Sequence, residues 1–345
     1  MKNEHLNIIG NDDLYNYFTS CAKANSLSHA YILLGARGTG KHTLANLIAA
    51  AINCEKRAGN DDAIPCGICS SCKKILANNS ADLIYISREK DKASIGIDPI
   101  RFIKTDVSVF PNDGDFKVYV IDEAHLMTPQ AQNALLLTLE EPPSYVVFIL
   151  LCEHTETILE TIKSRAPILR MKIPQKSEAV EYLKEHHPSV RNLINSSPED
   201  FDEIYMASRG SIGRILELTA LNERKQILQN RNLVSRLVQA IAHRTVARDF
   251  AELFSLFPQK REDREKIISI LSELESALRD LMIVKKADES TMIFFRDYAY
   301  AEELSYSISV QKIAEIMSLV EGARLALLRN ANIKLTLTNL LSNLI

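Results

Sequence analysis

Short apolar runs alternate with amphipathic stretches along the first half of the chain. Four of these runs have the length and residue content of buried strands: 30–34, 83–86, 116–121 and 145–151. Stretches with helical features follow the first three runs. Strands that alternate with helices in this way are typical of a parallel sheet with helices on both faces. The pattern therefore predicts an α/β domain.

The second half of the chain has a helical pattern. The strand pattern stops near Pro174, a short helical segment continues to about residue 225, and helical patterns extend from there to the end. Apolar residues recur in it at the spacing of buried helix faces: Ile267, Ile270, Leu271, Leu274, Leu278, Leu281, Ile313, Ile316, Met317 and Val320. The pattern predicts three domains, at 1–173, 174–225 and 226–345, and a fold that combines α/β with all-α parts.

Composition narrows the class of protein. The 345 residues carry a formal net charge of -3, which argues against a protein that coats DNA by bulk electrostatics. No apolar run approaches the roughly 20 residues of a membrane span. The first residues lack the apolar core of a signal peptide. We therefore expect a cytoplasmic protein that is not bound to a membrane.

The loop after the first strand run has the pattern of a phosphate-binding loop, with Gly35, Gly38, Gly40 and Lys41. Such glycines let backbone N–H groups point at phosphate oxygens at the start of a helix. His42 stands where an NTPase places the serine or threonine that binds Mg²⁺. Thr43, one residue later, is the alternative metal ligand. The loop predicts weak binding of ATP or ADP, without the usual hydroxyl ligand for Mg²⁺.

An acidic pair, Asp122 and Glu123, directly follows the third strand run. In a chain with a phosphate loop, such a pair is the second half of a nucleoside triphosphate site. Asp122 would hold Mg²⁺ and Glu123 would polarise the attacking water. Taken alone, the pair could also be a solvated strand end.

Four cysteines cluster after the phosphate-loop helix. Cys54, Cys66, Cys69 and Cys72 have the spacing C-x11-C-x2-C-x2-C, and four thiolates can surround a Zn²⁺ ion as a tetrahedron. An iron–sulfur cluster is the alternative, since it also uses closely spaced cysteines. No fourth position is left open for catalysis. The segment 54–72 therefore predicts a structural zinc module.

Further segments carry a resemblance to a known family. The helix Thr128–Pro143 and the segment Lys163–Pro167 are similar to those of the AAA+ module in bacterial DNA polymerase III clamp loaders. The short segments Ile9–Asn11 and Ser28–Tyr31, with the cysteine module between the two nucleotide motifs, strengthen the resemblance. It covers about the first 215 residues by motif. It implies an AAA+ domain, a helical lid at 174–225 and a helical collar at 226–345.

Within this family the chain resembles delta prime subunits more than gamma/tau motor subunits. His42 replaces the threonine of the motor subunits, and Glu153 lies where a threonine or asparagine usually faces the γ-phosphate. Ala166 and Leu137 replace a cysteine and a lysine of the motor pattern. These departures affect catalysis by the chain itself, and they predict little or no intrinsic ATPase activity.

The resemblance implies roles for two arginines. Arg165 would act in trans as an arginine finger that stabilises charge on the γ-phosphate of a neighbouring subunit. The alternative is a surface arginine in a turn. Arg214 would face the phosphates of a nucleotide bound to this chain. The alternative there is structural, with Gly210 ending one helix and Ser211 capping the next.

The resemblance also implies an assembly. The expected partners are gamma/tau and delta subunits in a pentameric ring, the sliding clamp, and primer–template DNA reached through that ring. The expected function is a non-hydrolysing clamp-loader subunit of the DNA polymerase III holoenzyme. Two alternatives remain: a working gamma/tau-type ATPase of the same loader, and an unrelated P-loop kinase or zinc-dependent DNA-binding module.

Overall fold

The computed structural model describes residues 8–57, 63–89, 92, 94–220, 224–258, 260, 263–285, 292–295 and 297–344. The chain forms two compact units. The first contains 1–188 and 210–215, and the second contains 189–209 and 216–345. The units divide the segment 174–225 between them, so the three-domain division stays a prediction. No helix in the described part of the chain is both long and apolar enough to cross a membrane.

The first unit contains a five-stranded parallel sheet. Its strands in chain order are β1 Ala30–Leu34, β2 Leu83–Ile86, β3 Lys117–Ile121, β4 Val146–Cys152 and β5 Ile168–Arg170. Their order across the sheet is β2-β3-β4-β1-β5, and every neighbouring pair is parallel. The predicted α/β fold with a parallel sheet is confirmed.

The burial of a strand decides whether its sequence shows a recognisable apolar run. Strands β1, β3 and β4 are buried along their whole length, so their residues face helices on both sides and are apolar, apart from Lys117 at the start of β3. Strand β5 has three residues that are only partly buried or exposed, and it lies at the sheet edge beside β1. This strand was missed because it is too short to produce an apolar run.

Helices cover both faces of the sheet. Those of the first unit are α1 Asp12–Ala24, α2 Lys41–Ile52, α3 Ser70–Leu76, α4 Ile97–Asp106, α5 Pro129–Glu140, α6 Glu160–Lys163 and α7 Lys176–His186. One core on a face of the sheet includes Phe18, Leu44 and Ile75 from α1, α2 and α3. The core on the other face includes residues of α4, α5 and α6.

Local chemistry sets the ends of helix α5. The Thr128 hydroxyl accepts a hydrogen bond from the Ala131 N–H, and Pro129 occupies the first turn, where its missing N–H costs nothing. The helix ends at Glu140, just before Pro142 and Pro143. The helix thus lies within the predicted segment Thr128–Pro143 and ends before the two prolines.

The remaining helices are α8 Pro188–Ser196, α9 Pro198–Ala207, α10 Ile212–Ala220, α11 Arg224–Ala242, α12 Val246–Leu256, α13 Arg264–Val284, α14 Tyr298–Tyr306, α15 Val310–Leu328 and α16 Ile333–Asn343. Helix α13 places its predicted apolar stripe, from Ile267 to Leu281, in the core of the second unit. Ile313, Ile316 and Val320 of α15 are buried in the same core. The predicted helical half is confirmed.

Candidate nucleotide and metal sites

The carboxyl ends of three strands bring the predicted nucleotide residues to one edge of the sheet. The glycine loop follows β1, Asp122 follows β3, and β4 ends at Cys152. Strands β3, β4 and β1 are neighbours in that order. This edge is where ligands bind in open parallel sheets. The topology therefore joins the phosphate loop and the acidic pair into one site.

Lys41 is folded back onto its own loop. Its side chain is buried, with 8% of the residue exposed, and Nζ donates hydrogen bonds to the carbonyl oxygens of Gly35, at 2.6 Å, and Ala36, at 2.9 Å. Burial lowers the pKa of Lys41, although Glu153 and Asp122 act in the opposite direction. The ammonium group has three N–H donors, and these two carbonyls accept two of them.

His42 occupies the position of the metal-binding hydroxyl, and it contacts the acidic pair. Its Nε2 lies 3.0 Å from Oδ1 of Asp122. Its ring stacks on Tyr85 of β2, with centroids 5.8 Å apart and planes 19° from parallel. Thr43, the alternative metal ligand, is exposed and lies about 100° further around helix α2. Of these side chains, it is His42 that the fold places against Asp122.

The acidic pair is held by contacts within the protein. Oδ1 of Asp122 also accepts the Glu123 N–H at 2.9 Å. Burial raises the pKa of Asp122, but the hydrogen bond and charge of His42, the Glu123 N–H and Lys41 outweigh it and lower the pKa. Glu123, whose φ is +48°, lies 3.4 Å from Nε of Arg88. Mg²⁺ prefers oxygen ligands in near-octahedral geometry, so this arrangement does not fit the usual metal site.

The end of β4 is joined to the acidic segment through a histidine that the sequence analysis did not single out. The N–H of Glu153 donates to Nδ1 of His125, at 3.4 Å. His154 packs edge-on against His125, with centroids 4.6 Å apart. Burial, and then the charges of His154 and Lys41, lower the pKa of His125 to about 3. His125 is therefore a neutral residue that connects β3 to β4. Its place in the chain, shortly after Asp122 and Glu123, was the available signal.

The segment that contains Arg214 contacts the tip of the phosphate loop. The Gly213 N–H donates to the Gly38 carbonyl at 2.9 Å, and the Ser211 hydroxyl donates to the Arg37 carbonyl at 2.7 Å. A Cβ added to Gly38, whose φ is +78°, would lie 2.4 Å from the backbone nitrogen of Arg214. The backbone of Arg214 is thus placed at the site. Its contact with a nucleotide stays a prediction.

Arg165 lies between α6 and β5. Its guanidinium donates to Oε1 of Glu140 at 2.8 Å and to the Thr161 carbonyl at 3.0 Å. The side chain is 34% exposed. These contacts orient the guanidinium beside the end of α5 while leaving part of it accessible. The role of Arg165 in a neighbouring subunit stays a prediction.

The four clustered cysteines converge. Their sulfur atoms all lie within 4.8 Å of one another, and Sγ of Cys66 and Sγ of Cys72 are 4.0 Å apart. A zinc ion with Zn–S bonds of about 2.3 Å needs sulfur atoms about 3.8 Å apart at the corners of a tetrahedron. The Cys69 N–H points at Sγ of Cys66, and the Cys72 N–H at Sγ of Cys69, both at 3.4 Å. The donor set therefore fits a tetrahedral metal ion.

The electrostatics of the cluster also suit a cation. Burial raises the pKa of Cys54 and of Cys72. At Cys66, burial acts in the same direction, but the N–H groups of Ile68 and Cys69 outweigh it and lower the pKa to about 7. A bound cation would offset the cost of burying several thiolates together. Within the described residues, this is the one group of three or more potential ligands close enough to share an ion.

Comparison with known proteins shows which family this part of the chain resembles. A family profile described as "DNA polymerase III, delta subunit" matches residues 10–175. The match covers slightly less than half of the chain. The matched range includes the phosphate loop, the four cysteines, the acidic pair and Arg165. The segment around Arg214 and the helical second half lie outside it.

Gamma and tau subunits of DNA polymerase III are among the curated relatives that the chain resembles. DNA polymerase III subunit tau/gamma of Haemophilus influenzae is 35% identical over 213 residues, which are 61% of this chain and 30% of that protein. DNA polymerase III subunit gamma of Buchnera aphidicola subsp. Schizaphis graminum is 34% identical over 197 residues, which are 57% of this chain and 50% of that protein. The chain thus spans between 30% and 50% of the length of these two relatives.

Among solved structures, a DNA polymerase III gamma-subunit-related protein of Thermotoga maritima aligns with 95% of this chain and 98% of its own, at 18% identity and a TM-score of 0.41. The RuvB Holliday junction branch migration motor of the same organism aligns with 92% and 78%, at 14% identity and a TM-score of 0.40. The family profile and the relatives together do not distinguish a delta prime subunit from a gamma/tau subunit.

Proposed function

We propose that this chain is a clamp-loader subunit of bacterial DNA polymerase III that does not hydrolyse ATP itself, and that it corresponds to a delta prime subunit. The family profile that matches residues 10–175 supports the assignment to a clamp loader. The observation that carries the absence of hydrolysis is the contact between Nε2 of His42 and Oδ1 of Asp122.

The contact between His42 and Asp122 occupies the groups that would bind Mg²⁺ for hydrolysis. In P-loop NTPases, a serine or threonine hydroxyl and the acidic residue after the strand hold Mg²⁺, which neutralises charge that develops on the γ-phosphate. Here an imidazole replaces the hydroxyl and engages the carboxylate. Glu123, which would polarise water, lies beside Arg88. Both catalytic carboxylates are therefore engaged within the chain.

The chain would instead act on the ATP of a neighbour. We propose that Arg165 is an arginine finger, which typically contributes about 10³ to 10⁵ in rate. Its partial exposure supports this role, as does its fixed position beside Glu140. The partners are gamma/tau motor and delta subunits in a pentameric ring, the sliding clamp, and primer–template DNA bound by the assembly.

The rest of the chain serves that assembly. The domains are an AAA+ module at 1–173, a lid at 174–225 and a collar at 226–345 that packs against other subunits. Zn²⁺ held by Cys54, Cys66, Cys69 and Cys72 is a structural ion. The protein acts in the cytoplasm.

A gamma/tau-type motor is the second candidate. Lys41, Asp122 and Glu123 are all retained at one site, and the curated relatives are named gamma and tau. A motor would need Mg²⁺ to displace His42 from Asp122.

The test is the ATPase rate of the purified chain, alone and mixed with motor subunit, delta subunit, clamp and primed DNA. We expect no turnover alone. In the mixture, we expect Arg165→Ala to lower the rate by the share of the one neighbouring site that this arginine completes. Arg170→Ala, an exposed arginine on β5, is the matched control and should leave the rate unchanged.

Two results would overturn the proposal. Turnover by the chain alone, abolished by Lys41→Ala, would identify a motor subunit. A mixture that hydrolyses ATP equally well with Arg165→Ala would remove the arginine-finger role.

A further inference from the structure

We propose that the phosphate loop of this chain binds the phosphates of a nucleoside di- or triphosphate without a divalent cation, because His42 occupies the place of the metal. The inference rests on the proposed non-hydrolysing function and specifies the form of its ligand. The contact of His42 with Asp122 excludes Mg²⁺ from the site, while the phosphate loop can still bind the nucleotide.

The position of the metal is filled by His42. This residue lies in the first turn of α2 beside Lys41, and its Nε2 approaches Oδ1 of Asp122. The same oxygen accepts the Glu123 N–H. A Mg²⁺ ion between the phosphates and Asp122 would have to displace an imidazole and compete with a backbone donor. Mg²⁺ also gives up its water ligands reluctantly, so this competition is unfavourable.

The imidazole is itself held in place from two sides. Its ring stacks on Tyr85, and the Tyr85 hydroxyl donates to Oδ1 of Asn46, one turn along α2. Strand β2 and helix α2 thus fix His42 against Asp122. A cation that binds Asp122 would therefore have to break the contact of His42 with Asp122 and shift its ring from Tyr85.

The carboxylates at the site already lie beside basic side chains, which reduces their repulsion of a bound polyphosphate. Without a metal, two bare carboxylates would repel a polyphosphate. In this structure each carboxylate already lies beside a basic side chain: Asp122 beside His42 at 3.0 Å, and Glu123 beside Arg88 at 3.4 Å. Arg88 therefore offsets the charge of Glu123 without a metal, and His42 does the same for Asp122 when its ring is protonated.

The groups that bind phosphate in such a loop are retained: the glycines, the N-terminus of α2 and Lys41. Gly38 and Gly40 adopt φ values of +78° and +89°, and Gly40 directly precedes the twelve-residue helix α2. The N-terminus of that helix favours anions. Lys41 already donates to two carbonyl oxygens of the loop, so a phosphate oxygen can replace one of them. None of these donors requires a metal ion.

The test uses the full chain and ADP, titrated by calorimetry with Mg²⁺ and in buffer free of divalent cations, without a chelator that would remove zinc from the cysteines. We expect wild-type protein to bind ADP without Mg²⁺ at least as tightly as with it, and Lys41→Ala to abolish binding in both. His42→Thr restores the hydroxyl and frees Asp122. We therefore expect Mg²⁺ to strengthen ADP binding to this variant by about tenfold. A thermal melt monitors the fold of each variant.

A second readout follows the metal directly. Electron paramagnetic resonance of Mn²⁺ should detect no Mn²⁺ bound to wild-type protein with ADP, and a bound ion on His42→Thr with ADP. The cysteine cluster does not interfere, since Mn²⁺ prefers oxygen ligands. If His42→Thr does not fold, the wild-type comparison still decides the question.

Three outcomes overturn the inference: tighter wild-type binding of ADP with Mg²⁺ than without divalent cations, Mn²⁺ bound by the wild-type complex, or no ADP binding under either condition. The loader ATPase measured with Arg165→Ala does not use this chain's own phosphate loop. The inference and the proposed function can therefore fail separately.

Discussion

Gly213 and Gly38 touch through their backbones, with the Gly213 N–H donating to the Gly38 carbonyl oxygen at 2.9 Å. A Cβ on Gly38 would meet the Arg214 backbone nitrogen at 2.4 Å, and a Cβ on Gly213 would meet Gly38 Cα at 2.8 Å. Both contacts are with backbone atoms, which cannot rotate away. Glycine at each position is therefore what allows the segment that carries Arg214 to approach the phosphate loop.

The substitution Gly38→Ala tests this backbone contact directly. We expect it to separate the segment 211–214 from the loop, because the methyl group adds a clash to the strain of a positive φ. Positive φ alone costs about 1–3 kcal/mol of the free energy of unfolding for residues other than glycine. Hydrogen exchange at the Gly213 amide, measured by mass spectrometry of the peptide that contains it, should become faster.

Gly96→Ala is the matched control. A Cβ there has no atom within 4 Å, and its φ is -75°, so we expect exchange in 211–214 to stay at the wild-type rate. Unchanged exchange in Gly38→Ala would contradict the role of this contact.

Local chemistry explains how much of the site the sequence could predict. The glycine loop, the acidic pair and the cysteines are each contiguous or closely spaced, and their function is set by residue type and order. Strands β1, β3 and β4 were predictable because burial on both faces favours apolar runs.

Contacts between distant segments could not be predicted. Nothing in the composition of the phosphate loop indicates that His42 turns toward Asp122, since that depends on β3 lying near β1 in the sheet. The backbone contact of Gly38 with Gly213 likewise depends on tertiary structure. Strand β5 forms by pairing with β1, and its three residues carry too little pattern to reveal it.

The cysteine cluster predicts a specific metal content. We expect one zinc ion per chain, lost in Cys72→Ser, because Cys72 is fully buried among the four sulfur atoms. Loss of the ion should also lower the thermal midpoint, since metal binding contributes to folding. Elemental analysis by mass spectrometry measures the content.

Cys21→Ser is the control, because Cys21 is not part of the cluster. Replacement by Co²⁺ should give the intense visible bands of tetrahedral thiolate coordination. A brown protein that contains iron would support the iron–sulfur alternative, and absence of any metal would contradict both.

The ion pair of Arg165 with Glu140 should contribute little to stability. The two side chains are 34% and 47% exposed, and exposed pairs typically contribute about 0–1 kcal/mol. We therefore expect Arg165→Ala to lower the free energy of unfolding in urea by less than about 1 kcal/mol. Unfolding is followed by circular dichroism, since the chain contains no tryptophan.

Ala166→Leu provides the contrast. Ala166 is fully buried, and overpacking a core position typically costs about 1–3 kcal/mol. A loss of several kcal/mol in Arg165→Ala would instead show a structural arginine, and a slower loader ATPase could then no longer be assigned to an arginine finger.

His125 should make the stability of the chain depend on pH. Its pKa is about 3 in the folded protein and 6.5 when unperturbed, because the folded state buries it near His154 and Lys41. Between these values the unfolded chain binds the additional proton. Stability is therefore highest above the unperturbed pKa and decreases as pH falls toward the folded one, by at most about 1.4 kcal/mol per pH unit.

His125→Asn tests this dependence. An asparagine oxygen can accept the Glu153 N–H in place of Nδ1 but does not titrate. Urea unfolding should show that wild-type protein loses about 1–2 kcal/mol more than the variant between about pH 7 and pH 5. His243→Asn, an exposed histidine on the second unit, should keep the wild-type slope. Equal slopes for wild type and His125→Asn would mean that His125 is protonated in the folded chain over this pH range. Its Nδ1 could then not accept the Glu153 N–H.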